Sequence, residues 1–552
     1  MAERGGALTP PRWARPSPWP PGLGLAALAL VAGLGLGSLG ALLWQARELH
    51  PAMLWQEPWL AAILRFTLWQ ATLSTLLSVG LAVPVAVALA RRPAFPGRAL
   101  LLRAMELSLV LPTLIGLFGL VAVHGRRGWA APLWEWLFGL EAGYLYGLSG
   151  IVLAHVFYNL PLAARLMLQA LETAPAAHWR LAAQLGLSRG AIWRTLEWPR
   201  LASLIPRLAA LVFTLCFTSF AIVMTLGGGP RSSTLEVAIY QALKFDHDLA
   251  LAALLALTQL TICLTLWLLA LSRGGAPSLM VGSVRLPALG RWRRRDALGL
   301  SRWIDGIWML ALVALLAPPL VAIVIAGLGG LAELPRASSL WPAAARSLVM
   351  ALGAGLGALV LALALLAGSR WLRRRGRGAL GLVMEGGGQL ILVVPALVLG
   401  TGLFLLLRPT LGSGWEGYAL VVLVNALMAL PFAMQVLRGA LPGLTAPEAR
   451  LADQLGVRGA ARLRWLTWPR LRRPLALALA YAMTLSLGDF SVIALFGSPS
   501  APTLPMLLYQ QLGGYRWQGA AATALLLLVL VALTFAVLGG LTRRPRRPRW
   551  RP

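Results

Sequence analysis

Acidic residues, lysine, histidine and cysteine are all scarce in this chain of 552 residues. Charged residues make up 12% of it, against roughly 25% in an ordinary soluble domain. Residues of the AVILMFWYC class reach 58%, against roughly 45–50%. That balance excludes an ordinary soluble globular enzyme. The two cysteines, Cys216 and Cys263, each sit inside a long apolar run, with no CxxC spacing nearby. Isolated thiols of this kind behave as small hydrophobes, so neither a disulfide framework nor a zinc site is expected. Lysine occurs once, at Lys244. A P-loop needs GxxxxGK[ST], with its lysine on the β/γ-phosphates, so no such loop can exist here. Any ATP-driven role therefore requires a separate nucleotide-binding subunit. The five histidines (His50, His124, His155, His178, His247) are scattered, and no Ser-His-Asp, Cys-His or HExxH pattern accompanies them. Catalysis by this chain is not expected. Acids number 19 against 49 basic residues, a net charge of +30. Such an excess invites a nucleic-acid reading, and only the placement of the charges decides it.

What is present is apolar sequence in runs of about 20 residues, the length needed to cross a bilayer as a helix. Six lie near 22–45, 63–90, 100–123, 143–170, 201–226 and 249–272, and six more near 303–328, 344–368, 379–407, 416–438, 474–497 and 518–541. The first follows Arg4, Arg12 and Arg15, is too long for a signal-peptide core and lacks a cleavage site, so it is expected to be a retained span. Twelve such runs exceed what any soluble core can cover. The expectation is an all-α polytopic membrane protein of about twelve transmembrane helices.

Arginine sets the orientation. The connection after the sixth run holds Arg273, Arg285, Arg291, Arg293, Arg294, Arg295 and Arg302 against Asp296. The one after the eighth holds Arg370, Arg373, Arg374, Arg375 and Arg377, and the tail adds Arg543, Arg544, Arg546, Arg547, Arg549 and Arg551. These segments and both termini fall on one side, which is expected to be cytoplasmic. Glu48, Glu57, Glu135, Glu141, Glu236, Asp246, Asp248, Glu333 and Glu416 then fall on the outer side. The charge thus describes orientation in a bilayer and contact with anionic lipid, with no need for nucleic acid.

The chain also repeats itself. Gln184-Leu185-Gly186 returns as Gln454-Leu455-Gly456, and Trp198-Pro199-Arg200-Leu201 returns as Trp468-Pro469-Arg470-Leu471, both 270 positions on. Between Pro161 and Leu201, 18 of 41 positions match their partners without a gap. Beyond it Phe220 pairs with Phe490, Tyr240-Gln241 with Tyr509-Gln510, and Leu111-Pro112 resembles Val394-Pro395. Corresponding points lie an even number of runs apart, so two tandem six-helix halves, 1–285 and 286–552, are expected in parallel orientation about an axis along the membrane normal. The best-preserved part of the repeat is a connection, about 172–199 in one half and 442–469 in the other. A mere tether would drift, so this is expected to be a paired surface for a partner.

Each copy reads as a short helix, a turn at Gly186 or Gly456 and a second short helix closed by Pro199 or Pro469, because glycine alone takes a positive φ freely and proline ends the element. The motif Arg180-Leu181-Ala182-Ala183, three residues before Gly186, and Arg450-Leu451-Ala452-Asp453 before Gly456, resembles the EAA loop of binding-protein-dependent ABC importer permeases. In that family the loop is the coupling helix that enters a cleft of the ATPase. The family's glutamate is replaced by Arg180 and Arg450 and its Leu-Pro ending by Trp-Pro, so a salt bridge from that glutamate is not carried over.

The likeness continues through Phe217-Thr218-Ser219-Phe220-Ala221, Leu226-Gly227-Gly228-Gly229-Pro230, His155-Val156-Phe157-Tyr158-Asn159-Leu160-Pro161 and Ser486-Leu487-Gly488-Asp489-Phe490. These segments are similar to permeases of bacterial thiamine importers, with ferric-iron importer permeases the nearest competitors. The resemblance implies a type I ABC importer permease fold in a bacterial inner membrane. It also implies two copies of a cytoplasmic ATPase carrying ATP and Mg, a periplasmic thiamine-binding protein, and no cofactor on this chain. A secondary carrier and a non-transporting scaffold are the alternatives from other classes. Asp489, inside a run, must face the translocation path or a polar partner. A hinge or helix-to-helix hydrogen bond is the favoured reading and a cation contact the other; its counterpart is Ser219. Gly227, Gly228 and Gly229 are either an outer gate or a turn. Trp44, Trp55, Trp59, Trp129, Trp134, Trp136, Trp303 and Trp517 at run ends are expected to form an interfacial belt.

Overall fold

A computed structural model describes residues 21–139, 143–229, 232–272, 299–333, 338–408, 415–440 and 451–540 apart from 453, 458–460 and 462. Among them all regular structure is helical. In chain order the first half comprises α1 (Pro21–Ala46), α2 (Met53–Gln56), α3 (Pro58–Arg91), α4 (Arg98–Val110), α5 (Thr113–His124), α6 (Ala131–Phe138), α7 (Leu148–Glu172), α8 (Ala176–Gln184), α9 (Arg189–Ile192), α10 (Trp198–Phe217), α11 (Phe220–Leu226), α12 (Leu235–Lys244) and α13 (Leu249–Ser272). The second comprises α14 (Leu300–Gly329), α15 (Leu340–Arg374), α16 (Gly378–Leu390), α17 (Ala396–Leu407), α18 (Glu416–Ala440), α19 (Trp468–Gly488), α20 (Ser491–Phe496), α21 (Leu504–Gly513) and α22 (Trp517–Gly540).

All twelve apolar runs fall on helices, but not all are single straight ones. Among the described residues nine helices are long and apolar enough to cross a membrane, and the pair α4 and α5, bent by 117°, makes a tenth. The bend has a local cause. A residue preceding proline is driven out of the α region, and Leu111, before Pro112, has φ −66° and ψ 123°. Val394, before Pro395, has φ −86° and ψ 120° and interrupts α16 and α17 at the matching place. A second matched pair of breaks separates α10 from α11 at Thr218-Ser219 and α19 from α20 at Asp489.

The halves interlock. α1 packs on α13 of its own half and on α15 and α17 of the other, while α14 packs on α22 and on α3 and α5. Small residues permit the closest approaches, as in membrane helix pairs generally. A Cβ added to Gly24 of α1 would lie 2.8 Å from the Cα of Gly368 on α15, and Ala358, Ala429 and Ala482 meet where α15, α18 and α19 cross. Outward faces carry Leu36, Leu310 and Val349, all strongly exposed, as a lipid-facing surface requires. Trp44, Trp55, Trp59, Trp129, Trp136 and Trp303 are exposed too, consistent with an interfacial belt, whereas Trp517 turns inward against Phe118 with ring centroids 5.6 Å apart. Cys216 and Cys263 are buried free thiols. The arginine-rich segments 273–298 and 541–552 lie outside the described residues.

Candidate functional site: two repeated loops and a polar, aromatic junction

The first repeated loop is built as its sequence dictates up to the turn. α8 is followed by Gly186 at φ +60°, and the Leu187 N–H returns to the Ala182 carbonyl at 3.1 Å. In the second copy Gly456 has φ +67°, and Val457 N–H reaches the Ala452 carbonyl at 2.9 Å. This is the left-handed helix end that glycine accepts without a steric penalty. Ala182 and Ala452 are the inward-facing members, each 4% exposed, and a larger side chain there would meet the bundle. Leu181, Leu185, Leu451 and Leu455 point the other way, 54%, 65%, 55% and 69% exposed. Apolar side chains at i and i+4 form one knob on a helix, so each half presents the same leucine pair to solvent. Arg180 and Ala183 are exposed beside it, while Arg450 and Asp453 lie outside the described residues.

Beyond the turn the structure corrects the expected second short helix. Pro199 and Pro469 do not close an element; each sits in the first turn of a continuing helix, so that α9, a π-helical turn and α10 run on as one rod from Arg189 to Phe217. Proline lacks an N–H and its ring collides with the carbonyl four residues back. The backbone meets this by widening into π turns at Trp193–Glu197 and Leu463–Thr467, where the Trp198 N–H bonds Trp193, five residues back. The Arg200 guanidinium donates to the Leu196 carbonyl one turn back, adding a side-chain bond beside the proline.

Directly under this rod lies a buried ionic cluster that the sequence did not announce. Arg91 Nη2 lies 3.4 Å from Glu197 Oε2, Arg91 Nη1 lies 3.6 Å from Asp305 Oδ1, and Arg92 Nε lies 3.3 Å from Asp305 Oδ2. Glu197 is fully buried and Asp305 nearly so. The cluster joins the foot of the first repeated loop to α3 and to α14, the first helix of the other half. In the second half Glu385 bonds Arg373 and Arg438 at 3.1 Å each and accepts from Ser369 Oγ at 2.7 Å. The residues of these clusters are far apart in sequence and belong to no shared motif.

At the breaks the two halves meet. Phe220 stacks on Phe490 with centroids 5.6 Å apart and 28° between planes. Tyr240 lies 5.3 Å from Phe220, and Tyr509 lies 4.8 Å from Phe490. These are the pairs the repeat matches, so the four rings form one cluster with two-fold character at the junction. The supports repeat as well. Thr67 Oγ1 accepts the Leu235 N–H at the start of α12 at 3.1 Å, and Ser347 Oγ accepts the Leu504 N–H at the start of α21 at 2.8 Å. Cys216 and Ser486, equivalent positions three residues before each break, are both held from a neighbouring helix, by Asn159 at 3.3 Å and by Asn425 at 3.1 Å, although the two asparagines stand one turn apart in the repeat. Lys244, the single lysine, crosses between halves to the Leu495 carbonyl at 3.3 Å.

Ser219 and Asp489 occupy the equivalent break positions, with extended backbone. Asp489 Oδ1 accepts the Val492 N–H at 3.3 Å, so the carboxylate caps α20. Gly227 has ordinary helical dihedrals, whereas Gly228 and Gly229 have φ +71° and +135°, and Leu226 is tied to the start of α7 by the Gly147 N–H at 2.7 Å. A turn is present there. Glu236, expected in an outer connection, is buried in the bundle. It is 2% exposed on α12, where it accepts from Gln259 Nε2 at 2.6 Å. α12 is apolar on nearly every face and, with ten residues, spans only about 15 Å. It folds back into the bundle, although it is too short to be counted as a span.

The family model of binding-protein-dependent transport system inner membrane components matches residues 82–274 and again 360–547. The chain belongs to that family. It is the multi-pass membrane component of a binding-protein-dependent transport system, and the double match agrees with a fused two-half permease. Over 523 residues it is 46% identical to the thiamine transport system permease protein ThiP of Escherichia coli K12, covering 94% of this chain and 96% of that one. It is 42% identical to ThiP of Brucella abortus strain 2308, with 92% of each chain covered. Against ThiP of Haemophilus influenzae the identity is 38%, covering 91% and 92%. No solved structure matches the chain.

Proposed function

We propose that this permease moves thiamine and its phosphate esters from periplasm to cytoplasm by ATP-driven alternating access. Halves 1–285 and 286–552 surround one path, with both termini in the cytoplasm. The observation that carries the mechanism is the duplicated loop. The same left-handed glycine, inward alanine and outward leucine pair recur in both halves, as two copies of one ATPase would require. Leu181 with Leu185, and Leu451 with Leu455, are the knobs that each ATPase cleft receives, flanked by Arg180, Ala183, Arg450 and Asp453. ATP and Mg reside on those partners, where hydrolysis occurs, and this chain holds no cofactor. A periplasmic thiamine-binding protein docks on the outer face near Gly227, Gly228 and Gly229.

The four-ring junction serves as the closed outer gate. Drawing the loops together on ATP binding pulls the Arg189-to-Phe217 rod and its second-half counterpart, and parts Phe220 from Phe490. Ser219 and Asp489, at the breaks, are the hinges of that motion. The substrate assignment rests on full-length likeness to permeases named for thiamine.

Uptake of labelled thiamine by cells carrying the permease with its ATPase and binding protein tests the substrate. Saturable uptake is expected, competed by thiamine pyrophosphate and untouched by ferric ion. Ferric uptake without thiamine uptake would overturn the assignment.

A further inference from the structure

Each half brings one buried carboxylate to the junction, and the two come from positions that the repeat does not relate. Glu236 aligns with Pro505, and Asp489 with Ser219. A structural need shared by both halves would have placed acids at equivalent sites, as it placed Thr67 with Ser347 and Phe220 with Phe490. Their helices nevertheless meet across the half boundary, where α12 packs on α20 directly after Asp489. Among the described residues neither has an ion-pair partner. Gln259 supplies Glu236 with one neutral hydrogen bond. Asp489 spends Oδ1 on the Val492 N–H, with the Ser491 and Ile493 amides and the Asn425 side chain also directed at the carboxylate, all of them neutral donors.

The surroundings are those of a binding site. Beside Asp489, within the second half, lies a small cavity with room for about one water, where Ser347, Asn425, Ser486 and Thr503 share the lining with Met350, Val421, Ile493 and Pro505. Thr503 is 4% exposed, and its hydroxyl, on the cavity wall, has no partner among the described residues. Tyr240 stands one helical turn from Glu236 on α12, and Phe490 directly follows Asp489, so each acid shares its stretch of chain with a ring of the four-ring cluster. Aromatic faces with buried carboxylates suit an organic cation, since ring quadrupoles and negative charge attract it together.

We infer that Glu236 and Asp489, with the rings of Phe220, Tyr240, Phe490 and Tyr509, form a transient recognition site for an aromatic organic cation in transit. The inference extends the thiamine reading, because a thiazolium joined to an aminopyrimidine is such a cation. On parting of Phe220 from Phe490, the cation takes the space between the rings, and its charge is met by one acid from each half. Seated there, it favours the open junction, which alone has room for it, over the closed one.

The test uses the permease in complex with its ATPase, with benzyltrimethylammonium as the binding probe and labelled thiamine for uptake. Glu236→Gln and Asp489→Asn keep shape and hydrogen bonding while removing charge. Each variant is expected to bind the probe about tenfold more weakly and to lower thiamine taken up per ATP hydrolysed by about tenfold, with the double variant lower still. Co-elution with the ATPase as a single species checks that each variant is assembled. Probe binding by the parent chain that is lost in both variants, without thiamine uptake by the parent, would sink the thiamine reading and support the site. Probe binding and uptake unchanged in the assembled double variant would overturn the site.

Discussion

Replacing Gly186 and Gly456 together by proline is expected to leave the permease inserted and bound to lipid but to lower thiamine uptake per ATP hydrolysed by about tenfold or more. The two glycines have φ +60° and +67°, and proline is fixed near −65°. The helix end that returns Leu187 to Ala182 and Val457 to Ala452 cannot then form, and the leucine knobs lose their aim. An added Cβ at either glycine meets no atom within 4 Å, so the alanine variants separate strain from collision. Their cost is backbone strain alone, about 1–2 kcal/mol at each site, and their coupling defect should be milder. Transport and ATP hydrolysis measured side by side in membranes decide the matter. Normal coupling in the double proline variant would mean that these loops do not transmit the stroke.

The second large effect concerns stability. Glu197→Ala removes one carboxylate from the cluster it forms with Arg91, Arg92 and Asp305, and leaves the Arg91 guanidinium buried with weaker compensation. Breaking a buried pair in this way costs about 3–5 kcal/mol. The control is Glu48→Ala, whose pairing with Arg47 at 3.8 Å is solvent-exposed. Such a contact contributes about 0–1 kcal/mol. Thermal unfolding of the solubilised chain should therefore separate the two variants by several degrees, with Glu197→Ala the lower. Coincident transitions would show that the cluster is not a structural anchor. Because Glu197 lies in the π turn beneath the repeated loop, its loss should also loosen the rod that links loop to gate.

The parts of this architecture that were legible in advance are those encoded locally or twice. Apolar runs marked every spanning helix because bilayer thickness fixes their length. Pro112 and Pro395 sat inside runs read as single spans, and the breaks they impose through the residue before each were not anticipated. Gly186 and Gly456 marked the loop ends because few other residues adopt a positive φ. Pro199 and Pro469 misled, since proline in a first turn can also be accommodated by a π turn, and nothing in the local sequence separates that outcome from a stop. The burial of Glu236 was hidden for a different reason. A ten-residue helix reads as a connection to any hydropathy count, and only its packing on α13 and its cap from Thr67 show that it re-enters the bundle. The cluster of Arg91, Arg92, Glu197 and Asp305 was invisible because its members are brought together by tertiary structure, without a repeat or spacing to announce them. The four-ring junction stood between these cases. Its pairs Phe220 with Phe490 and Tyr240 with Tyr509 could be aligned, but their meeting across the half boundary could not.

Reconstitution tests the central claim most directly. The permease is placed in proteoliposomes with its ATPase inside and its binding protein outside, and labelled thiamine accumulation is measured together with ATP hydrolysis. The mechanism predicts accumulation only when all three components and ATP are present, with hydrolysis stimulated by loaded binding protein. Accumulation by the permease alone, driven by an ion gradient, would contradict it.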